Sequence, residues 1–308
     1  VSPNSLVYGT EDDLRKGLDS IETYAKPERV FVESNCSVSL VGDDVQGIAD
    51  QMDIPWPVYA MDSGGMKGSF EAGYSAASLR IEKEMKTKEK IPASVNVLGL
   101  STVHMKGRED AEEIRRLLSL CGIRVISMPG GGSSWEDIMD APSASLNIVV
   151  RDKLGLSLAK QMERDFGTPY MSCGLPYGTD GTLAWLSEII EKLGAGELTR
   201  ASHEAAKLKE FLLRKGNNLE SLWGPLWFDA VLISAPPSEA LGIAEAIRSE
   251  WIDTARLCIH AQCETEKSTP AADAIRVVMK NEKEIAKDYE DWQGGLVLSS
   301  SHETHLLR

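Results

Sequence analysis

Cys36 is the residue whose surroundings best suit chemistry. It lies in Glu33-Ser34-Asn35-Cys36-Ser37-Val38-Ser39-Leu40-Val41-Gly42-Asp43-Asp44-Val45, directly after the β-rich run Arg29-Val30-Phe31-Val32-Glu33. A cysteine just past the C-terminal end of a strand, with a helix soon after, sits where α/β folds hold their ligands. The thiolate is the nucleophilic and metal-ligating form of cysteine, and helix-terminal N–H groups favour it. Asp43 or Asp44 is placed to cap the helix start or to favour its positive end. A metal ligand is one reading. The other is a small buried side chain closing the strand, which is common for free cysteine. The polar neighbours Ser34, Asn35 and Ser37 suit a lined cavity better than a core.

The remaining candidates are weaker. Cys258 and His260 fall at i, i+2 and share one strand face, but Cys263 falls on the other by parity, and no second Cys/His group lies near to complete a tetrahedral site. Cys121 and Cys173 read as core or loop residues. The loop Pro129-Gly130-Gly131-Gly132-Ser133-Ser134 could cradle a phosphate at a helix start, yet it lacks the Gly-Lys-Ser/Thr of a P-loop and the spacing of a dinucleotide fingerprint. A Ser-capped helix beside an internal cavity is the better expectation. His104 and His203 carry no catalytic pattern, and the spacing supports no Ser-His-Asp or paired-carboxylate constellation. No catalytic residue can be named.

The elements that position these residues repeat one theme, a short β-rich run followed by a helical pattern, the signature of βα units and parallel sheets. In a first domain, 1–92, Leu14, Leu18 and Ile21 mark an amphipathic helix, and strands are expected at Arg29–Glu33 and Pro57–Tyr59. A break is expected at Ser34–Cys36, with a helix from about Val41–Asp44. The mixed-charge run Arg80–Lys90 reads as a solvated helix end, and Ile91-Pro92 as the boundary. A second domain, 93–196, has strands at Val95–Leu100, Arg124–Ile126 and Leu146–Val150. Its first helix carries Ala111, Ile114, Leu117, Leu118 and Cys121 and stops at Gly122; two more helices follow at about 154–166 and 180–193. A third, 197–308, opens with a helix capped near Thr199, with Leu208, Phe211 and Leu212 inward. Strands are expected at Asp229–Ser234, Ala255–Ala261 and Leu296–Leu298. Helices are expected from Pro236-Pro237-Ser238 through Trp251 and near 271–289. Residues Ser299 to Arg308 read as the start of a further βα turn. The fold class is therefore α/β: three doubly wound, Rossmann-like domains with mainly parallel sheets.

The chain has 308 residues, 42% hydrophobic and 26% charged, with a formal net charge of −14. A surface this acidic repels nucleic-acid phosphates and anionic lipids, so no nucleic-acid or membrane partner is expected. Five cysteines without paired spacing, and no visible leader, point to a reducing, cytoplasmic setting. Val1 rather than Met at the start suggests a piece of something longer.

Four stretches, in order, resemble the nitrogenase component 1-type oxidoreductase family. The Cys36 segment is similar to its motif in which a strand ends at a cysteine and runs through a hydrophobic-Gly-Asp-Asp step into a helix. Val7-Tyr8-Gly9-Thr10-Glu11 through Leu14 resembles its Gly-Gly/Thr-Glu-x-x-Leu helix start. Ser63-Gly64-Gly65-Met66-Lys67-Gly68 with Gly73 resembles its Gly-Phe-x-Gly loop, with Met where Phe is usual. Gly130–Ser134 through Ile138, then Ala141–Ala144 and Asn147–Val150, resemble its second-domain loop and strand, and Gly167-Thr168-Pro169-Tyr170 falls where the family has Gly-Ile-Pro.

The resemblance implies an iron–sulfur cluster in the full-length assembly, with Cys36 as a cofactor-binding metal ligand. Such a cluster takes about four ligands, mostly thiolates, so one cysteine cannot hold it. The family's other cluster cysteines lie upstream of this stretch, which reads as truncated at both ends and, alone, as binding no cluster. The implied partners are a homologous component 1 subunit and a P-loop iron–sulfur reductase that delivers electrons. Where the iron–molybdenum-cofactor subunit has a cysteine after the strand of Asn147–Val150, this chain has Arg151, so it resembles the subunit without that cofactor, or a nitrogenase-like relative. Function is then that of an oxidoreductase subunit, alone inactive. The alternatives are a non-catalytic scaffold for metal-cluster assembly and an iron-free small-molecule binding module.

Overall fold

The computed structural model describes residues 9–66, 68–224, 227–251, 253–261, 275–279 and 295–299. The chain divides into two compact units, Val1–Met85 and Lys86–Arg308.

The first unit is built on two parallel strands, β1 (Val30–Ser34) and β2 (Val58–Asp62), with Val30 opposite Val58 and Ser34 opposite Asp62. Helix α1 (Glu11–Tyr24) buries Leu18 against Ala49, Trp56 and Val58, with Leu14 and Ile21 beside it, so the expected apolar face is the one that packs. Two short helices follow β1, α2 (Cys36–Val41) and α3 (Val45–Asp50), separated by Gly42 in the left-handed region at φ 80. The expected break narrows to one residue: Asn35, extended, caps α2 by accepting the Val38 N–H at 3.0 Å, so Cys36 is itself the first helical residue. Helix α4 (Phe70–Glu82) ends the unit. Its last residue, Glu82, and Met85 are buried, so the Arg80–Lys90 run is not a wholly solvated helix end. Lys90 instead reaches inward to the Pro142 carbonyl at 2.8 Å and to the Thr168 hydroxyl.

In the second unit, strands β3 (Ile91–Leu98), β4 (Arg124–Ser127), β5 (Ala144–Val149) and β6 (Tyr170–Ser172) form a parallel sheet in the order β4-β3-β5-β6. The chain leaves β3 toward β4 and then crosses to β5 on the other side, which makes the carboxyl ends of β3 and β5 the switch point of a doubly wound sheet. One face packs α5 (Gly107–Leu120) and α8 (Thr179–Leu193): Val95, Val97, Leu146 and Ile148 meet Ala111, Ile114, Leu118, Trp185, Leu186 and Ile189. Helix α7 (Asp152–Phe166) buries Leu154, Leu158 and Met162, and α6 (Trp135–Asp140) precedes β5. The other sheet runs β10-β7-β8-β9, again parallel, from β7 (Trp227–Ala235), β8 (Asp253–Ala261), β9 (Ile275–Met279) and β10 (Leu296–Leu298). It packs under α10 (Pro237–Ala246) through Val231, Ile233, Ala240, Ala244 and Ile259.

Two expectations fail here. Residues Ile275–Met279 are a strand, not part of a helix near 271–289, because Ile-Arg-Val-Val-Met is β-branched and pairs in register with β8 from Leu257 to Ala261; the rest of that span, and the proposed βα turn after Ser299, lie outside the described residues. The helix expected through Trp251 does run to that residue, with α geometry to Ala246 and a π turn over Ile247–Trp251. Helix α9 (Thr199–Trp223) starts where expected, with Leu198 as its cap, but Leu208, Phe211 and Leu212 are 47%, 45% and 49% exposed instead of inward. Only the start of this 25-residue helix reaches the sheet's core, through Ala201. Among the described residues no helix is long and apolar enough to cross a membrane.

The π turn has a packing role. Glu250 accepts the Thr179 and Asp180 N–H groups at 2.7 Å each and the Thr179 hydroxyl at 2.5 Å, which satisfies the exposed donors at the start of α8. Burial by itself raises the Glu250 pKa, but these donors outweigh it and the net shift is downward. A carboxyl with a lowered folded pKa adds stability at pH values above its unfolded pKa and loses it as pH falls through the folded value. Glu250→Gln should therefore cost about 1 kcal/mol at neutral pH. It should also flatten the loss of stability below about pH 5. Chemical denaturation at a series of pH values measures both; an unchanged profile would show that the contact contributes nothing.

Candidate functional site

The carboxyl ends of β1 and β2 bring Cys36 and the Ser63–Gly65 loop together. Cys36 is exposed, so it is not a side chain closing a core, and it lies open rather than in a lined cavity. Its sulfur accepts the Gly65 N–H at 3.1 Å. Two hydroxyls hold the loop in place: Ser63 donates to the Ser34 carbonyl at 3.0 Å, and Ser39 donates to Asp62 at 2.5 Å. Gly64 is required by the close approach, because a Cβ there would lie 2.6 Å from the Ser39 hydroxyl, which Asp62 pins. Large apolar side chains stand exposed in the same segments: Leu40, one helical turn after Cys36, Met66 beside Gly65, and Phe70 at the start of α4.

The Gly42-Asp43-Asp44 step splits its work between two helices. Asp44 caps α3, accepting the Gly47 N–H at 2.9 Å. Asp43 reaches back 33 residues to the start of α1, where it accepts the Thr10 N–H and the Thr10 hydroxyl, the latter at 2.7 Å. The Gly9-Thr10 step and the Cys36 segment thus meet in one hydrogen-bonded group. Sequence reasoning placed Asp43 or Asp44 at a helix start, but it missed that Asp43 serves the more distant one. The signal was present, since Thr10 directly precedes the acidic turn Glu11-Asp12-Asp13. Such a turn is a usual helix start.

The other candidates are not brought into this group. Cys121 is buried in the core of the second unit, and burial pushes its thiol pKa up. Cys173 borders the same core, with its pKa pushed up to about 12, chiefly by burial. Cys258 lies half-buried in β8, Cys263 lies outside the described residues, and no group of three or more metal-ligating side chains occurs among the described residues. His203 is exposed on α9, and His104 is half-buried before α5. The glycine loop offers no phosphate cradle. Ser133 accepts the Met128 N–H at 2.8 Å, Ser134 forms a capping box with Asp137, and a Cβ added at Gly131 would lie 3.2 Å from Leu100 and Met128, so that side of the loop is packed where an internal cavity was expected.

At the switch point of the second unit's sheet, Arg151 donates through Nε to Glu239 of α10 at 2.6 Å, with both side chains mostly buried. Gly99 ends β3 at φ 94, with its Cα facing the Arg151 backbone so closely that a Cβ would lie 2.7 Å from its carbonyl. Tyr177 is held neutral nearby: burial first, and then the Glu239 charge, push its pKa up to about 12. None of this cluster beyond Arg151 was singled out from sequence, because Glu239 lies 88 residues away.

A family profile described as Nitrogenase component 1 type Oxidoreductase matches residues 1–308. This chain belongs to that family. Its relatives include the nitrogenase iron-molybdenum cofactor biosynthesis protein NifE of Clostridium pasteurianum, 31% identical over 70% of this chain and 46% of that one. A light-independent protochlorophyllide reductase subunit of Chloroherpeton thalassium is 24% identical over 74% of this chain and 42% of that one. The nitrogenase molybdenum-iron protein alpha chain of Clostridium pasteurianum is 28% identical over 65% and 38%. The chain thus spans about half the length, or less, of these three relatives. The solved structure titled "Nitrogenase Cp1 at pH 5" superposes with a TM-score of 0.68 at 22% identity, covering 100% of this chain and 65% of that one, which is a likeness of fold.

Asp43 is the side chain that ties two of the component 1 motifs together. Asp43→Ala should lower stability by about 1–2 kcal/mol, the cost of a lost cap and an abandoned buried donor, while Asp44→Ala, which strips only a one-turn helix of its cap, should cost less. Denaturant melts of the two variants check the ranking, and equal losses would refute it.

Proposed function

We propose that this chain is part of a nitrogenase-like component 1 oxidoreductase subunit, in which Cys36 is one thiolate ligand of an iron–sulfur cluster. The cluster receives electrons from an ATP-dependent, P-loop iron–sulfur reductase and passes them to a small substrate. The observation that carries the reading is Cys36 itself, exposed at the carboxyl edge of parallel strands with the Gly65 N–H directed at its sulfur. Hydrogen bonds to ligating sulfurs are one of the means by which a protein sets cluster potential. The donor set fits one corner of a cluster: a single thiolate is present, so the remaining ligands come from outside the described residues. Exposed Leu40, Met66 and Phe70 beside the thiol suit a surface that a homologous component 1 subunit covers. In this reading the three sheets are three domains, 1–92, 93–196 and 197–308, and the assembly works in the cytoplasm.

Arg151 supports a place among members without the iron–molybdenum cofactor, because a guanidinium matched by Glu239 stands where the resemblance puts that cofactor's cysteine. A second reading has one specific support, the 31% identity to a cofactor biosynthesis protein. A scaffold would use the same Cys36 site to hold a cluster during assembly and would release it without turning over substrate.

The full-length protein, purified without oxygen together with its partner subunit, should be brown, and Cys36→Ala should lose most of its iron. Iron content unchanged by the substitution would remove the ligand assignment. Reduced product on adding the reductase and ATP would favour the enzyme over the scaffold.

A further inference from the structure

A cleft of about 410 Å³ opens in the second unit between α5, the start of α8, α9 and the π turn at Trp251. That volume is in the range of small-ligand pockets. Its walls are aliphatic, from Ile114, Leu117, Leu183, Leu186, Leu208 and Leu212, which also explains the exposure of the last two: they stand at the mouth of a cleft. Its charges are unbalanced, with Asp110, Glu113, Glu204 and Glu250 against Arg116.

The state of each charge decides what the cleft accepts. Arg116 spends four of its five N–H donors on Glu113 and Glu204, at 2.7–2.9 Å, so its charge is matched by two carboxylates. Both Glu250 oxygens are taken by the start of α8. Asp110 differs. It is half-buried in the first turn of α5, and among the described residues its carboxylate makes no hydrogen bond and no ion pair within 4 Å. Burial raises its pKa and the Glu109 charge adds to the rise, while the Arg151 and His104 charges oppose it. Arg151 and His104 act on Asp110 only through their fields: the Arg151 Nε is bonded to Glu239 at 2.6 Å, and neither residue forms an ion pair with Asp110 within 4 Å. Two aromatic residues, Tyr177 and Trp251, complete the lining. A half-desolvated carboxylate beside aromatic rings and an aliphatic floor is an environment that favours organic cations.

We propose that this cleft binds a small organic monocation with an apolar body, an alkyl- or arylammonium, whose charge pairs with Asp110 while its hydrocarbon lies against the leucines. The site is separate from Cys36 and does not depend on the cluster reading.

The test uses full-length protein and two probes of similar shape and opposite charge, 3-phenylpropylammonium and 3-phenylpropanoate, measured by titration calorimetry and ligand-observed NMR. The ammonium should bind and the carboxylate should bind at least tenfold more weakly. Asp110→Asn, nearly isosteric, should weaken the ammonium about tenfold, the scale of one charge-assisted hydrogen bond. Ala205→Trp, which fills the cleft from the partly exposed face of α9, should abolish binding while the circular dichroism spectrum stays unchanged. Equal affinity for the two probes, indifference to Asp110→Asn, or no ammonium binding at millimolar concentration would each overturn the proposal.

Discussion

The Gly65 N–H directed at the Cys36 sulfur is the contact toward which the first unit is organised. Parallel strands bring their carboxyl ends to the same edge, so the segments that leave β1 and β2 must meet there. The chain leaves β1 into a helix that starts at the cysteine, because Asn35 caps it. It leaves β2 into a loop that must come within hydrogen-bonding distance, and only glycine at position 64 lets that loop pass the pinned Ser39. Ser63 and Asp62 then hold the loop by one hydroxyl contact each way. The sulfur is thereby presented to solvent in a fixed position by backbone and short polar side chains, with no core residue contributing.

The second unit treats its strand ends differently. At the switch point of β3 and β5 the opening is closed by an ion pair, with Arg151 drawn to Glu239 and stacked against the left-handed turn at Gly99. Removing one partner of a mostly buried pair costs more than the pair contributes, since a charge is then stranded in a poorly solvated place. The pair therefore fixes α10 at this edge more by the penalty for separation than by attraction. It also bears on the neighbouring cleft, because the Arg151 charge that pairs with Glu239 is the one that favours the charged form of Asp110.

How much of this was legible depended on the range of the interactions. The apolar faces of α1 and α5 follow from local spacing, and Leu18, Ile114 and Leu118 are buried as that spacing requires. Cys36 and the Ser63–Gly65 loop were each visible as motifs, yet their meeting needed the β1–β2 register. Asp43 was legible as a cap but not its client, because Thr10 lies 33 residues away and a side chain's reach is not written in spacing. The misassigned elements share a cause as well. Leu208 and Leu212 have helical periodicity, which says that a face is apolar without saying what it faces, and here it lines a cleft instead of a core. Ile275–Met279 was swept into a longer helical pattern, although its β-branched run is satisfied only by pairing with β8.

Holding a cluster for catalysis and holding it for transfer make opposite demands on the surface around a thiolate. An electron-transfer site needs its sulfur ligands sealed, because low dielectric and fixed donors set the potential and exclude competing reactions. An assembly site needs the same ligands to open, so that the cluster can leave. Leu40, Met66 and Phe70 are exposed in the segments that carry Cys36 and the Gly65 loop, while the thiol accepts a backbone N–H. In the proposed reading, a rim of that kind is sealed by a partner rather than by its own fold. On the proposed reading, the difference between reductase and scaffold would lie in how tightly a covering subunit buries three apolar side chains, and not in the cysteine that both would share.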